Sequence, residues 1–424
     1  MARDDSIAAM TIDLSQWIRT GDGVTWGQAT AEPQTLVEAF VAQRAGFSGA
    51  SAFLGVNYAG IVRPEHADHL RLTSYCGAGA NRALAEAGVL DIHPHPYSKL
   101  GACIRSRHIP VDVVLVQVSP PDADGRYSLG LAAEYLPPAI AGARAVIAEV
   151  NDRVPWTHGD GALRREDFAA LLETSRAPAA ARAAAPGPVD EAIARHATAF
   201  VPDGAVLEFG LGALPEAILR ALGDRRDLGV HSGTLLDTVA ELTERGVITN
   251  ARKEVDAGVT VGGLLMGSQR LFDFAHRNAG LQLKSCDYTH SPAVLGRLSR
   301  FVAINSAIEV DLTGQVNAEV ANGVYLGAVG GALDFIRAAN HSEGGVSLMC
   351  LPASIGTRAS RIVARLSGPV ATPRSEAGVV VTEHGAADLR GCTLRERAKR
   401  MIGIAHPAFR EGLERDAREQ GLLA

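Results

Sequence analysis

The chain has 424 residues, 47% of them hydrophobic and 21% charged. That composition supports two or three domains with a sizeable core and excludes a mainly disordered chain. Lys and Arg number 41 against 47 Asp and Glu, a net charge of −6. With no long basic run, a general nucleic-acid binder is disfavoured.

The N-terminal MARDDSIAAMTIDLSQ is acidic and lacks a basic stretch leading into an apolar one, so no secretory signal is expected. No run of about 18 apolar residues exists, so no membrane span is expected. Cys76, Cys103, Cys286, Cys350 and Cys392 lie far apart, with no CxxC or Cys/His spacing. They read as reduced thiols of a cytoplasmic protein, with no metal site.

In chain order, VDVVLVQV (112–119) and ARAVIAEV (143–150) read as strands buried on both faces. Between them LAAEYLPPAIAGA reads as a helix with a proline break. Alternating buried strands and helices imply an α/β fold with mostly parallel sheets. The Ala/Pro-rich stretch 174–190 reads as a linker between an N-terminal α/β domain (1–173) and a C-terminal one (191–424). Beyond it EAIARHATAF has helical spacing. AVLEFG (205–210), DLGVHS, VITN, RFVAINSAIEV, VSLMCLP and GVVVTEHG read as strands. The tail from Thr393 reads as helices broken at Pro407.

Four segments carry candidate chemistry. Gly210 and Gly212 follow a strand and open a helix near Pro215, a turn that exposes backbone N–H groups to an anion or a carbonyl oxygen. The corresponding third glycine of a dinucleotide fingerprint is absent, so that fold is disfavoured. His231, Ser232 and Gly233 sit at a strand end, where ligands of open α/β sheets gather. His231 suits a base or an orienting group. No GxSxG elbow surrounds Ser232. INSAIEVDLTGQVNAEVANGVYLGAVGGALDF (304–335) packs Asn305, Glu309, Asp311, Gln315, Asn317 and Glu319 ahead of Gly323, Gly327, Gly330 and Gly331. Polar groups at that density are expensive unless they bind something, and Glu319 is the carboxylate to watch. Finally Arg358, Arg361, Arg365 and Arg374 suit phosphates or carboxylates, and Glu383–His384 sits at another strand end.

Taken together, GLGALPEA, GVITNARK, INSAIEVDLTGQVNAE, GAVGGALDFIRAA, SRIVARL, VVTEHGAADLRG and IAHPAFR, with VDVVLVQVSPPDADGRYSLG and AVIAEVNDRVPWTHGD before them, resemble the acetyl-CoA hydrolase/transferase family of class I CoA-transferases, in order and over most of the chain. The resemblance implies two open α/β domains of the CoA-transferase type with the active site between them. It implies transfer of CoA between a small acyl-CoA and a carboxylate through a glutamate that becomes first an acyl anhydride and then a CoA thioester. It implies no metal or redox cofactor, and a homodimer or higher homo-oligomer. Gly327, Gly330 and Gly331 match the CoA-contacting turn, with Ala328 where its first glycine usually stands. Backbone N–H groups near Gly210 and Gly212 would face the thioester oxygen.

One departure matters. The family usually reads His-Thr-Glu-Met where this chain reads His231-Ser232-Gly233-Thr234, so Gly233 stands at the nucleophile's position. Glycine forms no anhydride. The expected catalytic groups are therefore Glu319 and His231, with Gly210, Gly212, Ser232, Gly233 and Asn305 around the substrate. Thioester hydrolysis, direct acyl transfer to an amine or hydroxyl, and non-catalytic acyl-CoA binding are the alternatives.

Overall fold

The computed structural model describes residues 12–180 and 185–424. Seven parallel strands form the first sheet, in the spatial order Leu90–Ile92, Arg71–Ser74, Ser51–Leu54, Gly23–Trp26, Val113–Val118, Ala145–Asn151 and Ala170–Thr174. The β-branched run Val113–Val118 is buried at every position because helices and loops cover both sheet faces. Six strands form the second sheet, in the order Gly229–Val230, Val206–Phe209, Phe301–Asn305, Val346–Cys350, Val379–Thr382 and Gly385–Asp388. Only the last pairing is antiparallel.

The halves are knitted together rather than merely joined. His158–Gly159, from the first half, pairs with Leu281–Leu283, which pairs in turn with Thr260–Gly262. One hydrophobic cluster runs from Val114 and Val116 in the first sheet through Leu131 to Leu207, Phe209 and Val302 in the second. After Ala170–Thr174 completes the first sheet, helix Pro188–Ala197 opens the second half. Residues 181–184 of the Ala/Pro-rich stretch lie outside the described residues.

Two local expectations change. Pro137 and Pro138 do not break a helix. They occupy the first turn of helix Leu136–Gly142, where the missing N–H groups have no intrahelical partner to lose. VITN forms no strand. Ile248 makes a single bridge to Leu228, and the Asn250 side chain accepts from Val230 N at 2.8 Å in place of a ladder bond. The tail forms helices Leu394–Ile404 and Pro407–Glu419, separated at Pro407 as its sequence implies. Among the described residues no helix is long and apolar enough to cross a membrane.

Candidate active site

The carboxyl ends of both sheets open on one cavity of about 290 Å³. From the first sheet come Gln28, Val56, Tyr75 and Cys76, each just beyond a strand end. From the second come Gly210, Gly233 and Asn305. Strand ends of parallel sheets expose unpaired backbone groups and diverging loops, which is why ligands collect there.

The third wall is the turn 327–331. It belongs to the second half but is bonded to the first. Gly77 N donates to Gly327 O at 2.8 Å and Tyr97 N donates to Gly330 O at 2.9 Å. Ser98 donates to Asp334 through both its amide (3.1 Å) and its hydroxyl (2.8 Å). Glycine at 77 permits this approach, because a Cβ there would lie 2.0 Å from Tyr325 O. Within the second half, two glycines of the turn are equally confined. A Cβ at Gly327 would lie 1.8 Å from Ala318 O, and one at Gly331 would lie 2.3 Å from His290 Nε2. Gly331 also starts helix Ala332–His341, so free amides of a helix N-terminus border the cavity.

Two buried carboxylates line the wall, Glu134 and Glu208. Glu134 Oε2 accepts from Gln28 Nε2 at 2.7 Å. Gln28 is itself fixed by Tyr97 Oη, by the Tyr75 hydroxyl (2.8 Å) and by Val56 N (2.7 Å). Glu134 sits in the left-handed region at φ 49°, a conformation that a non-glycine residue keeps only when its surroundings enforce it. Glu208 Oε2 accepts from Asn305 Nδ2 at 2.8 Å. Burial pushes Glu134 up to about 7 and Glu208 up to about 8, opposed by these hydrogen bonds.

Gly233 leaves a bare spot in the wall, and an imidazole lies beside it. A Cβ built there would be 3.3 Å from His290 Cε1 and 3.4 Å from His290 Nε2. The His290 ring is clamped between Tyr97 (centroids 4.8 Å apart) and Phe335 (4.5 Å). Its Nδ1 lies 2.8 Å from the Thr289 hydroxyl, and burial, with His231 nearby, pushes its pKa down to about 3. The ring is therefore neutral at ordinary pH. No Lys or Arg is among the lining residues. A second cavity of about 590 Å³ adjoins the first through Val56, Ala78, Leu211 and Met266. Gly212 and Ala213 at the start of helix Ala213–Ala221 border it.

Gly210, Gly233, Asn305, Gly327, Gly330 and Gly331 share the first cavity, and Gly212 borders the second. Glu319 and His231 do not line either. The Glu319 carboxylate accepts from the Tyr325 hydroxyl at 2.8 Å within the hairpin Val320–Ala321/Val324–Tyr325. His231 is fully buried behind the wall, its Nε2 3.0 Å from Thr289 O, and burial lowers its pKa to about 4. Ser232 is also fully buried, its hydroxyl 3.3 Å from Phe209 O. Arg358, Arg361, Arg365, Arg374, Glu383 and His384 line neither cavity. Gln28, Tyr97, Glu134, Glu208 and His290 are in the first cavity's wall and were not among the sequence candidates. Among the described residues no cluster of His, Cys, Asp and Glu could hold a metal ion.

The acetyl-CoA hydrolase/transferase N-terminal domain model matches residues 9–202, and the corresponding C-terminal domain model matches residues 267–417. The chain belongs to the acetyl-CoA hydrolase/transferase family. It is 36% identical to the 4-hydroxybutyrate coenzyme A transferase of Clostridium kluyveri, over 92% of each chain. It is 31% identical to the succinyl-CoA:cyclohexane-1-carboxylate CoA transferase of Geobacter metallireducens, over 97% of this chain and 95% of that one. Its fold superimposes on that of RipA from Yersinia pestis with a TM-score of 0.92, at 31% identity and 96% coverage of both chains. The protein is thus an acyl-CoA-handling enzyme of the CoA-transferase type. In this family member, the cavity between the two sheets is walled by a turn made almost entirely of backbone. Such a wall offers N–H donors to a thioester and little side-chain bulk.

Proposed function

We propose that this enzyme moves CoA between a small acyl-CoA and a free monocarboxylate with an apolar tail, in the cavity that joins the two sheets. The observation that carries the reading is the meeting of the 327–331 turn with two buried carboxylates, Glu134 and Glu208, in that cavity. Amides at Gly330, Gly331 and the start of helix Ala332–His341 border the cavity and would meet the thioester end of CoA. Amides beside Gly210 are placed to meet the carbonyl oxygen as it gains charge. The acyl chain takes the space lined by Val56, Leu264 and Met266. A wall without Lys or Arg gives a second carboxylate no counter-charge, which disfavours dicarboxylates. No cofactor beyond the CoA thioester is needed, because a carboxylate, a thiolate and a carbonyl suffice for the exchange.

One observation favours hydrolysis as a second reading. Position 233 has no side chain, and the neutral His290 ring beside it has no hydrogen-bond partner at Nε2 among the described residues. Water held there would attack the thioester directly. Scattered thiols support a cytoplasmic location, and the family resemblance supports a homodimer or larger homo-oligomer. Light scattering on purified protein measures the latter.

The deciding experiment mixes the protein with short acyl-CoAs and isotope-labelled acetate, followed by mass spectrometry. Label in acetyl-CoA supports transfer. Free CoA without label supports hydrolysis and refutes transfer.

A further inference from the structure

We propose that Glu208 is the catalytic carboxylate of this enzyme, the group that carries first the acyl moiety and then CoA. The inference rests on the transfer reading above and names the residue that performs it.

Strand register places Glu208 beside the bare position. Gly229 and Val230 pair with Val206 and Leu207, and His231 N donates to Leu207 O at 3.0 Å. Residue 231 therefore stands level with Glu208. Side chains alternate along extended backbone, so Val206 and Glu208 share one face of their strand. That face is identified by packing: Val206 lies in one cluster with Phe301, Ala303 and Phe335. A Cβ on Gly233 would enter the same region, 3.7 Å from Phe335 Cε2. The carboxylate missing at 233 is thus replaced by one reaching in from the adjacent strand.

The polar geometry agrees. Glu208 is 3% exposed and lines the cavity. Asn305 holds Oε2 and the backbone at Ile304 adds a second hydrogen bond to the carboxylate, while among the described residues no side-chain donor meets Oε1. Two residues further along, the chain turns at Gly210, and the amide of Leu211, which lines the same cavity, has no protein acceptor among the described residues. A carboxylate oxygen and an unpaired amide therefore border one space, as acyl transfer needs. Glu134 also comes near position 233, since a Cβ at Gly263 would lie 2.8 Å from Gly233 O and 3.2 Å from Glu134 Cγ. It differs in being tied into the Gln28–Tyr97–Tyr75 network, which suits positioning rather than attack.

The steps balance. Ionised Glu208 Oε1 attacks the thioester carbonyl, the C–S bond breaks, and CoA leaves as thiolate with the electron pair. The thiolate then attacks Cδ of Glu208 in the anhydride, the bond to the acyl oxygen breaks, and the original acid leaves as carboxylate. The acceptor carboxylate runs the two steps in reverse. The proton that Glu208 gives up on ionising passes to solvent, and no further proton is exchanged.

The test incubates full-length protein with butyryl-CoA, quenches in acid and maps any mass gain of one CoA less one water to a peptide. Labelled acetate is followed in parallel, for the wild type, E208Q and E134Q. We expect the adduct on the peptide containing Glu208, still present in E134Q. In E208Q the adduct should vanish and exchange should fall by at least about a thousandfold, with folding intact by thermal melting. An adduct on Glu134, His290 or Glu319, or undiminished exchange in E208Q, overturns the inference and leaves transfer standing. An adduct on Glu208 without label in acetyl-CoA supports the inference and excludes acetate as the acceptor. Neither adduct nor exchange in the wild type overturns both.

Discussion

Replacing Glu208 by Gln should make the protein more stable, and only in one pH range. The carboxyl group is pushed from its ordinary 4.5 up to about 8, chiefly by burial. Between those values the unfolded chain releases the proton while the folded chain holds it. The unfolded state then binds fewer protons, so folding stability falls as pH rises from 4.5 to 8 and stays low above 8. At 1.36 kcal/mol per pKa unit the loss amounts to about 5 kcal/mol. Gln has nearly the same shape, keeps an oxygen for Asn305 Nδ2, and never ionises. E208Q should therefore match the wild type near pH 4 and exceed it by about 5 kcal/mol at pH 9. For a chain of this size that corresponds to a rise in Tm of roughly 5–10 °C. Glu134 is also raised, to about 7, but it is present in both proteins and cancels in the difference. Thermal melts of the two proteins from pH 4 to pH 9 measure the effect. Parallel curves, with no divergence above pH 5, would refute the claim that Glu208 is held in a desolvated cavity. Higher stability together with lost exchange is the signature of a buried group kept for chemistry rather than for folding.

Three further outcomes are expected. G233E should cost about 1–3 kcal/mol, because the new Cβ meets the clamped His290 ring at 3.3 Å; in an E208Q background it should restore CoA exchange, and no recovery in a folded double variant contradicts the adjacent-strand argument. G327A places a Cβ 1.8 Å from Ala318 O, so backbone must move; a stability loss of about 1–3 kcal/mol and a large drop in exchange are expected, measured by melting and by label transfer. kcat/KM for butyryl-CoA should climb between pH 6 and 9 as Glu208 ionises, and the climb should persist in E134Q because Glu134, raised to about 7, titrates in the same range, whereas His231 and His290 are already neutral there; a flat profile would count against Glu208.

The strands that build the site were legible because buried parallel strands leave continuous apolar runs: 112–119 became Val113–Val118 and 205–210 became Val206–Phe209. The glycines were legible because a turn that admits no Cβ leaves a composition signal. The carboxylates were harder. In 304–335 the polar groups satisfy one another. Glu309 accepts from Asn317 and Ser367, Asp311 from Thr313 and Gln315, and Glu319 from Tyr325. Local sequence cannot distinguish such a closed network from a ligand site. Glu208 did leave a signal, a lone acid inside an apolar strand directly before Gly210, where an unpaired charge is costly. Gln28, Tyr97, Glu134 and His290 left none, because loops separated by up to 262 positions bring them together, and only the tertiary fold sets their distances.

The bonds from Gly77, Tyr97 and Ser98 to the 327–334 segment make the cavity a property of the docked pair of sheets and of neither sheet alone. Opening the junction would dissolve the site at the same moment. By linkage, a CoA thioester seated across it holds the halves shut by RT ln(1 + [L]/Kd), about 2.7 kcal/mol at a hundredfold excess over Kd. Ligand affinity and resistance to separation of the halves are then one free energy seen from two sides. Amides of Gly77 and Tyr97 should report substrate occupancy by slower hydrogen exchange, although each acceptor lies more than 200 residues away in sequence.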